Sequence, residues 1–288
     1  MTLHLRTRLC GVIGDPIEHS LSPVMHNAAF RELGLDYAYF AFHVPKESLK
    51  PAILGVVGLG IVGLNVTIPH KLQVLRYLDH VDEEASRLGA VNTVINRDGR
   101  LYGCNTDGIG ALRALEQNGV TVKGKRSTLM GAGGASRAIA FKLSEHVRSM
   151  TILNRTKSRA ASLARSLRRY RNIEVKVKEL TEENLSETLR ETDILINATP
   201  IGMWPNVDVT PVRKELLPSG LTVFDIVYNP IQTRLLHDAS KRGCRVIDGV
   251  DMLVHQGAPA FKLWTGREAP IEVMRKAVLR ALKRKFGS

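Results

Sequence analysis

The sequence predicts an α/β protein with more than one domain. Short apolar segments typical of buried strands alternate with longer segments of helical periodicity along most of the chain. A glycine-rich turn, Gly131-Ala-Gly-Gly-Ala-Ser136, separates a strand pattern from a helix pattern. The length of 288 residues suggests two domains at about 150 residues each. Because strands alternate with helices, we expect parallel pairing with helices covering both faces of the sheet.

The composition, 44% hydrophobic and 24% charged, is typical of a folded globular protein and argues against disorder. No apolar run approaches the roughly 18 residues of a membrane span, and residues 1–10 lack the apolar core of a secretory signal. The three cysteines stand far apart with no CxxC pair. This pattern fits a reducing cytoplasm and argues against a disulfide framework or a structural zinc site. We therefore expect a cytoplasmic protein without a metal.

The net charge of +13 is unevenly distributed along the chain. Residues 1–110 carry 10 basic and 11 acidic side chains, residues 111–248 carry 23 and 14, and residues 249–288 carry 8 and 3. Such an excess fits a nucleic acid, an anionic membrane or an anionic small molecule. A nucleic-acid face is disfavoured because aromatic residues are few and no zinc-finger pattern is present. We interpret Arg165–Arg171 and the Lys283-Arg284-Lys285 tail as solvated surface.

Helix start signals are present in the first 110 residues. Ser22 is a favourable N-cap residue directly before Pro23, so a helix is predicted from Pro23 to near Gly34. Pro69 opens a second predicted helix, which places Lys71 in its first turn. A cation is disfavoured there by the positive end of the helix dipole. The position of Lys71 therefore suggests a functional reason for it.

Short apolar and β-branched runs predict the strands of the same segment. Arg97-Asp98-Gly99 is a hairpin signal between two of them, and Asp107 is expected to cap a helix that runs to about Gly119. Residues 46–57 are predicted to be helical. The predicted strands are Leu9–Gly14, Tyr37–Val44, Ile61–Thr67, Val91–Ile95 and Leu101–Cys104.

After Gly124 the pattern restarts as a strand–helix–strand unit. Ser127–Met130 is predicted as a strand, Arg137–His146 as a helix and Met150–Asn154 as the next strand. Four further strands are predicted over residues 173–177, 193–197, 222–226 and 244–247, and two helices over Asp251–Thr265 and Ile271–Phe286.

The glycine-rich turn is typical of a dinucleotide site. Gly131, Gly133 and Gly134 lie between a strand and a helix, where glycines let the backbone approach a pyrophosphate at the helix N-terminus. Ser136 occupies the sixth position in place of Gly or Ala and keeps that residue small. We interpret the segment as the phosphate turn of a Rossmann-type doubly wound sheet. The alternative is a glycine-rich turn that binds no nucleotide.

The next predicted strand ends at Asn154-Arg155-Thr156, without the Asp or Glu that usually bonds the free ribose 2′-hydroxyl of NAD(H). Asn154, Arg155, Thr156 and Arg159 instead offer donors and positive charge. An arginine can bind a 2′-phosphate through paired hydrogen bonds, whereas an acid would repel it. The segment therefore favours NADP(H), the alternative being that these arginines are merely exposed.

Four polar segments follow or flank strands in the first half, where α/β sheets place ligands. Asn65, Thr67 and Asn92 supply amide and hydroxyl groups suited to a polyhydroxylated ligand. Ser20 and Ser22 can point two hydroxyls at one anion, although a helix cap would also explain Ser22. The four segments are Gly14–Pro23, Asn65–Lys71, Gly89–Thr93 and Asn105–Asp107.

Nine motifs, in this order and across nearly the whole chain, resemble those of the shikimate dehydrogenase family. The order of the nine carries the resemblance more than any single motif does. They are His19–Pro23, Asn65–Lys71, Gly89–Thr93, Asn105–Gly110, Gly131–Ser136, Asn154–Thr156, Asn197–Met203, Asp225–Pro230 and Gly249–Gly257.

The resemblance implies the reversible, NADPH-dependent reduction of 3-dehydroshikimate to shikimate, a step of chorismate and aromatic amino-acid synthesis. It implies Lys71 as the general acid/base and Asp107 as its partner. The substrate carboxylate is then expected at Ser20, Ser22 and Tyr228. The substrate hydroxyls and carbonyl are expected at Asn65, Thr67, Asn92, Asp107 and Gln256.

The resemblance also implies a cofactor site and no metal. The pyrophosphate is expected at Gly131, Ala132, Gly133, Gly134 and Ala135, and the 2′-phosphate at Asn154, Arg155, Thr156 and Arg159. Ile226 and Gly249 are expected near the nicotinamide. Glu83 corresponds to an acidic position that is sometimes near the cofactor.

The architecture implied by the resemblance is two α/β domains that flank a cleft. Residues 1–110 joined by 249–288 would bind the substrate and residues 111–248 would bind NADP(H). A homodimer is an open alternative that the sequence does not decide. Two alternatives remain open. One is a quinate/shikimate dehydrogenase with relaxed cofactor use. The other is a non-catalytic NADP- or nucleic-acid-binding regulator on the same fold, whose expected signature is the loss of Lys71 or Asp107.

Overall fold

The computed structural model describes residues 5–286, with side chains through residue 284. The chain divides into two compact units. The first contains the described residues up to Asp107 together with those from Val254 onward, and the second runs from Gly108 to Leu253. Within the described residues, no helix has both the length and the apolar character needed to cross a membrane.

Twelve strands and ten α-helices make up the described fold. The strands are β1 (Arg8–Gly14), β2 (Tyr37–His43), β3 (Gly63–Val66), β4 (His80–Val81), β5 (Thr93–Arg97), β6 (Arg100–Cys104), β7 (Arg126–Met130), β8 (Ser149–Asn154), β9 (Glu174–Glu179), β10 (Ile194–Asn197), β11 (Thr222–Asp225) and β12 (Arg245–Ile247). The helices are α1 (Ser22–Glu32), α2 (Leu49–Gly58), α3 (Glu83–Leu88), α4 (Asp107–Gln117), α5 (Gly134–Leu143), α6 (Lys157–Tyr170), α7 (Glu182–Leu189), α8 (Arg234–Lys241), α9 (Gly249–Thr265) and α10 (Ile271–Phe286).

The first unit contains a mixed sheet in the order β2-β1-β3-β5-β6-β4. Strands β1, β2 and β3 are parallel, whereas β5 runs antiparallel to both β3 and β6. The predicted hairpin is confirmed between β5 and β6. Asp98 and Gly99 have φ angles of 53° and 84°, as required at both central residues of a two-residue turn that matches the strand twist.

The predicted N-cap of α1 is wrong. The N-cap position is Leu21, whose carbonyl accepts from the Met25 N–H at 3.0 Å, so the helix begins one residue earlier than expected. Ser22 is therefore the first helical residue and makes no side-chain cap bond. Its N–H donates to Ser20 Oγ at 3.3 Å.

The predicted helix at Pro69 is also wrong. Residues 68–73 form turns, followed by a short 3₁₀ helix at Val74–Tyr77. The Lys71 carbonyl accepts from the Val91 N–H at 2.8 Å, in place of the amide four residues ahead that an α-helix would offer. Lys71 thus lies on a turn held by Val91, which precedes β5, and the helix-dipole argument for it does not apply.

Two apolar layers enclose the first sheet. On one face, Ile53 and Val56 of α2 pack in a cluster with buried strand residues such as Leu64 and Val66. The other layer is aromatic and includes the returning C-terminal segment: Phe261 lies 5.2 Å from Phe30 between ring centroids. A chain segment that is last in sequence therefore completes the core of the first unit.

The second unit contains an entirely parallel sheet in the order β12-β11-β10-β7-β8-β9. Numbered from β7 as the first strand, this is the 3-2-1-4-5-6 order of the doubly wound dinucleotide-binding fold. The order reverses between β7 and β10, the place where such sheets bind ligands outside the carboxyl ends of the strands. The predicted fold class is therefore confirmed for this unit.

The arginines near the end of α6 are mostly exposed, as expected. Arg165, Arg168 and Arg169 are exposed, whereas Arg171 is half-buried. Arg168 donates to the Val175 carbonyl of β9, and Arg171 pairs with Glu145 at 2.5 Å. In the basic tail, Lys283 and Arg284 are exposed, while the side chain of Lys285 lies outside the described part of the chain.

Candidate active site

Lys71 and Asp107 form a nearly buried ion pair in the first unit. Lys71 Nζ donates to Asp107 Oδ2 at 2.5 Å, and the side chains are 13% and 5% exposed. Asp107 is the first residue of α4 and its N–H donates to Asn105 Oδ1 at 3.0 Å. The asparagine thus helps to fix the backbone from which the carboxylate extends.

The side-chain amide of Asn92 holds the second oxygen of Asp107. Asn92 Nδ2 donates to Asp107 Oδ1 at 2.9 Å and also faces Thr106 Oγ1 at 2.9 Å and Gln256 Oε1 at 3.4 Å. Its own oxygen accepts from the N–H of Thr106 at 2.9 Å and from Thr93 Oγ1 at 2.9 Å. Asn92 therefore joins Asp107 to the C-terminal segment through Gln256.

Asn65 extends this network into β3. Tyr39 donates its hydroxyl to Asn65 Oδ1 at 2.7 Å, and Asn65 Nδ2 donates to the Asn92 carbonyl and to Thr93 Oγ1, both at 3.2 Å. Since an amide side chain has two N–H donors, both are occupied within the protein. The structure thus brings Asn65 beside Asn92 as a support for it.

The two serines and Thr67 lie near the ends of β1 and β3. Ser20 is half-buried, and Ser22 is 7% exposed with its N–H bonded to Ser20 Oγ. Thr67 follows β3, and its methyl group lies against Gly14, where a Cβ would come within 2.5 Å of it. Ser20 and Ser22 are therefore neighbours, as the expected anion site requires.

Glu83 stands apart from these groups. It is the first residue of α3, its side chain is 78% exposed, and it pairs with Arg87 one turn later. An exposed i,i+4 pair contributes little beyond local helix stability. A contact between Glu83 and the cofactor stays a prediction.

The phosphate turn of the second unit is shaped by two glycines with different environments. Gly131 has φ +112°, and a Cβ there would lie 2.8 Å from the Ala198 carbonyl oxygen. Gly133 is exposed, and a Cβ on it would meet nothing within 4 Å. Gly131 therefore serves the fold, whereas the bare backbone at Gly133 is open to a ligand.

Ser136 has a role that the sequence reasoning missed. Its side chain is fully buried, its Oγ accepts from the Gly133 N–H at 3.2 Å and its hydroxyl donates to the Ala198 carbonyl at 3.4 Å. The serine thus ties the turn to β10. The half-buried residues Ala132, Gly134 and Ala135 complete the turn at the N-terminus of α5, where free N–H groups and the helix dipole favour an anion.

The expected 2′-phosphate residues cluster at the start of α6. Asn154 Nδ2 donates to the Thr156 carbonyl at 2.9 Å, and Thr156 is the N-cap of α6 with no side-chain cap bond. Arg155 and Arg159 are exposed and form no ion pair among the described residues. The helix N-terminus and the two guanidinium groups together offer positive charge to an anion.

Ile226, Tyr228 and Gly249 lie beyond the ends of the parallel strands. The Ile226 N–H donates to the Asn197 carbonyl at 3.1 Å, and Tyr228 is half-buried. A Cβ at Gly249 would lie 2.4 Å from the Ile226 carbonyl oxygen. The glycine therefore lets the start of α9 pack directly on the backbone at Ile226.

Cys10 is buried and Cys104 is half-buried. Burial raises the pKa of Cys10 and of Cys104 to about 12, which keeps both thiols protonated and poorly nucleophilic near neutral pH. Among the described side chains, no group of three or more His, Cys, Asp or Glu residues is arranged to hold a metal ion. The polar cluster is instead suited to proton transfer and to hydrogen bonding of an oxygen-rich ligand.

Family models match most of the chain. Residues 12–94 match the shikimate dehydrogenase substrate binding domain, residues 113–226 match shikimate/quinate 5-dehydrogenase, and residues 249–279 match the shikimate 5′-dehydrogenase C-terminal domain. The three matched segments follow one another in the chain and together contain Lys71, Gly131 and Gln256.

Individual relatives match over almost their whole length. A protein named shikimate dehydrogenase (NADP(+)) from Methanopyrus kandleri is 50% identical over 98% of this chain and 99% of that protein. A crystal structure of shikimate dehydrogenase in complex with NADP+ has a TM-score of 0.91 and 46% identity over 98% of each chain. One from Thermus thermophilus, in complex with NADP(H) and shikimate, has a TM-score of 0.86 and 40% identity over 96% of this chain and 100% of that one. The chain therefore belongs to the shikimate dehydrogenase family.

Proposed function

We propose that this chain catalyses the reversible reduction of 3-dehydroshikimate to shikimate with NADP(H) as cofactor. The observation that carries the proposal is the nearly buried Lys71–Asp107 pair, bonded on its far side to the Asn92 amide. Family membership and the names of the NADP(+)-dependent relatives support it. The first unit is then the substrate-binding part and the second unit the NADP-binding part.

Lys71 is the proton donor in reduction and the acceptor in oxidation. Negative charge develops on the substrate oxygen as the carbonyl is reduced, and an ammonium group stabilises this charge and then releases a proton to it. Because Asp107 accepts from Nζ at 2.5 Å, it fixes the direction of the lysine side chain. When bound, the nicotinamide supplies or accepts the hydride.

Asp107, Asn92 and Gln256 orient the substrate ring in this proposal. Ring hydroxyls can donate to the Asp107 carboxylate and to the side-chain oxygen of Gln256, and one of them can replace a protein acceptor that the Asn92 amide faces. Thr67 and Asn65 line the same region, with Asn65 acting mainly through Asn92. Because these groups are held by one another, little reorganisation is needed when the substrate binds.

Ser20, Ser22 and Tyr228 bind the substrate carboxylate in this proposal. The serines are fixed relative to each other by the bond from the Ser22 N–H to Ser20 Oγ. Hydroxyl donors suit a carboxylate acceptor. These three hydroxyl groups would account for recognition of the carboxylate of the substrate.

The second unit offers groups that fit NADP(H). The open backbone at Gly133 and the α5 N-terminus fit the pyrophosphate, and Arg155 and Arg159 fit a 2′-phosphate at the α6 N-terminus. Ile226 and Gly249 would lie near the nicotinamide. A cytoplasmic location and a homodimer stay predictions.

Purified protein tests the proposal directly. Loss of NADPH absorbance is followed with 3-dehydroshikimate, and the reverse reaction with shikimate or quinate and either NADP+ or NAD+. We expect turnover with shikimate and a preference for NADP+ over NAD+. Comparable rates with quinate and NAD+ would support the quinate/shikimate alternative. No turnover with either cofactor, by protein that binds NADP+, would support the non-catalytic alternative.

A further inference from the structure

Two of the nine sequence motifs begin with a buried polar residue, Asn197 or Asp225, that has no part in the proposed chemistry. Asn197–Met203 begins at the last residue of β10, and Asp225–Pro230 begins at the last residue of the neighbouring strand β11. The two strands are parallel, with Asn197 in register with Asp225. Their side chains therefore meet at the carboxyl ends of the strands, where this fold places its ligands.

The Asp225 carboxylate is fully buried and accepts three hydrogen bonds. Its Oδ1 accepts from Asn197 Nδ2 at 2.9 Å and from the Val227 N–H at 3.1 Å, and its Oδ2 accepts from Thr233 Oγ1 at 2.7 Å. Thr233 is the N-cap of α8. One side chain thus connects the end of β10, the loop after β11 and the start of a helix.

Asn197 connects Asp225 to the turn that follows β10. Its Oδ1 accepts from the Thr199 N–H at 3.1 Å and from Thr199 Oγ1 at 2.7 Å, and its Nδ2 also donates to the Ile201 carbonyl at 3.3 Å. The turn at residues 198–202 is therefore held by an amide whose orientation Asp225 sets. This turn also supplies the Ala198 carbonyl that Ser136 contacts below the phosphate turn.

Burying a carboxylate among three segments costs free energy, because the charged group is removed from water. Burial raises the pKa of Asp225 to about 6, although all three bonds favour the charged form. The end of β11 therefore carries a group whose burial costs free energy that its three hydrogen bonds offset only in part.

We propose that Asp225 is a positioning residue for the dehydrogenase reaction. Through Val227 and Asn197 it fixes the backbone of two loops, residues 226–228 and 198–202, beside the strand ends. The first loop carries Ile226 and Tyr228, which are expected at the nicotinamide and at the substrate carboxylate. The inference rests on the proposed function because those two roles do.

Alanine and asparagine substitutions at Asp225 test the proposal. Asp225→Ala removes all three bonds, and we expect kcat to fall by about a hundredfold in folded enzyme, the scale for a reacting group displaced by about 1 Å. Asp225→Asn retains an oxygen for Asn197 and Val227, and its amide can donate to Thr233, so kcat is expected to recover to near the wild-type value. Asp238→Asn is the matched control, since Asp238 is a buried acid on α8 that pairs with Arg234.

Amide hydrogen exchange distinguishes positioning from mere stabilisation. In Asp225→Ala we expect faster exchange at Val227, Thr199 and Ile201 than in wild type, with the β10 and β11 amides still protected. If Asp225→Ala does not fold, Asn197→Ala carries the same comparison, with loss of kcat and faster exchange at 199 and 201 expected. A folded Asp225→Ala or Asn197→Ala enzyme with kcat and loop exchange unchanged would overturn the proposal.

The exchange measurement also separates this inference from the proposed function. A wild-type protein without dehydrogenase turnover would contradict the proposed function. Faster loop exchange in the variant would then establish only that Asp225 holds the loops. A wild-type protein with turnover, together with a variant whose loops loosen while kcat stays unchanged, would overturn the positioning role alone.

Discussion

Lys71 and Asp107 lie 36 positions apart in the chain and form an ion pair with 2.5 Å between Nζ and Oδ2, almost closed to solvent. Bringing two charges out of water costs free energy that their attraction only partly offsets, so such a pair is weak evidence for stability. In the proposed reaction, the pair holds the proton donor in one place. The Asn92 side-chain amide donates to the second carboxylate oxygen of Asp107.

Replacing the lysine by alanine tests its proposed role. Lys71→Ala is expected to lower kcat for shikimate oxidation by about 10²–10⁴-fold, the range for loss of a general acid or base, while KM changes far less. Steady-state kinetics with saturating NADP+ give both constants. Lys178→Ala is the matched control, because that lysine is also ion-paired, to Glu187 at 2.7 Å, and lies on β9. A Lys71→Ala enzyme with near-normal kcat would exclude the role.

The backbone at Lys71 shows what local sequence can and cannot predict. The local pattern predicts a helix from Pro69 and so places Lys71 in its first turn, whereas residues 68–73 form turns. The backbone there is set by the bond from the Val91 N–H to the Lys71 carbonyl, a contact between distant segments that no local pattern contains. The resemblance to the family identified the residue because it compares whole motifs and does not depend on the helix.

The sequence likewise predicts the strand pairing of one unit better than that of the other. The strand–helix alternation after Gly124 predicts a parallel sheet, and the second unit has one. In the first unit β5 is antiparallel to β3, although its sequence predicts only a strand in a hairpin. No local pattern indicates Tyr39 and Thr106 as site residues, since their polar contacts form only after folding brings them to Asn65 and Asn92.

The arginines at the start of α6 are expected to determine cofactor preference. The Arg155→Ala, Arg159→Ala double variant is predicted to lower kcat/KM for NADP+ by about tenfold or more, since hydrogen bonds to charged groups contribute roughly 1.5–3 kcal/mol. The value for NAD+ should change little because NAD+ lacks the 2′-phosphate. Arg165→Ala, an exposed cation on the same helix, is the control. Equal losses with both cofactors would argue against 2′-phosphate binding.

Two alanine substitutions in the phosphate turn are expected to affect different properties, NADP+ binding in one case and stability in the other. Gly133→Ala should leave the melting temperature unchanged, since φ is −83° and the added methyl meets open space, but it should weaken NADP+ binding. Gly131→Ala should lower stability by about 1–3 kcal/mol or more, because φ is +112° and Ala198 leaves no room. Thermal unfolding and calorimetric titration with NADP+ measure the two effects. Undiminished NADP+ affinity in Gly133→Ala would mean that no ligand approaches there.

His26 provides the basis for a prediction about acid stability. Its ring is fully buried between aromatic side chains, 4.5 Å from the Tyr39 ring centroid. Neither ring nitrogen has a hydrogen-bond partner within the described residues. Burial alone lowers the pKa of His26 from 6.5 to about 3. The folded protein thus keeps the ring neutral at pH values where the unfolded chain binds a proton.

The free energy of unfolding should therefore fall as the pH decreases below about 6.5. The unfolded state binds one more proton than the folded state between pH 6.5 and about 3, so this histidine contributes a slope of about 1.4 kcal/mol per pH unit and a loss of up to about 5 kcal/mol. Phe at this position cannot titrate. We expect the stability of His26→Phe relative to wild type to rise steadily as the pH is lowered from 7 to 4. Urea unfolding at each pH measures the difference, with His146→Gln as a control because that side chain is 37% exposed. A difference independent of pH would show that His26 is solvated or partnered in solution.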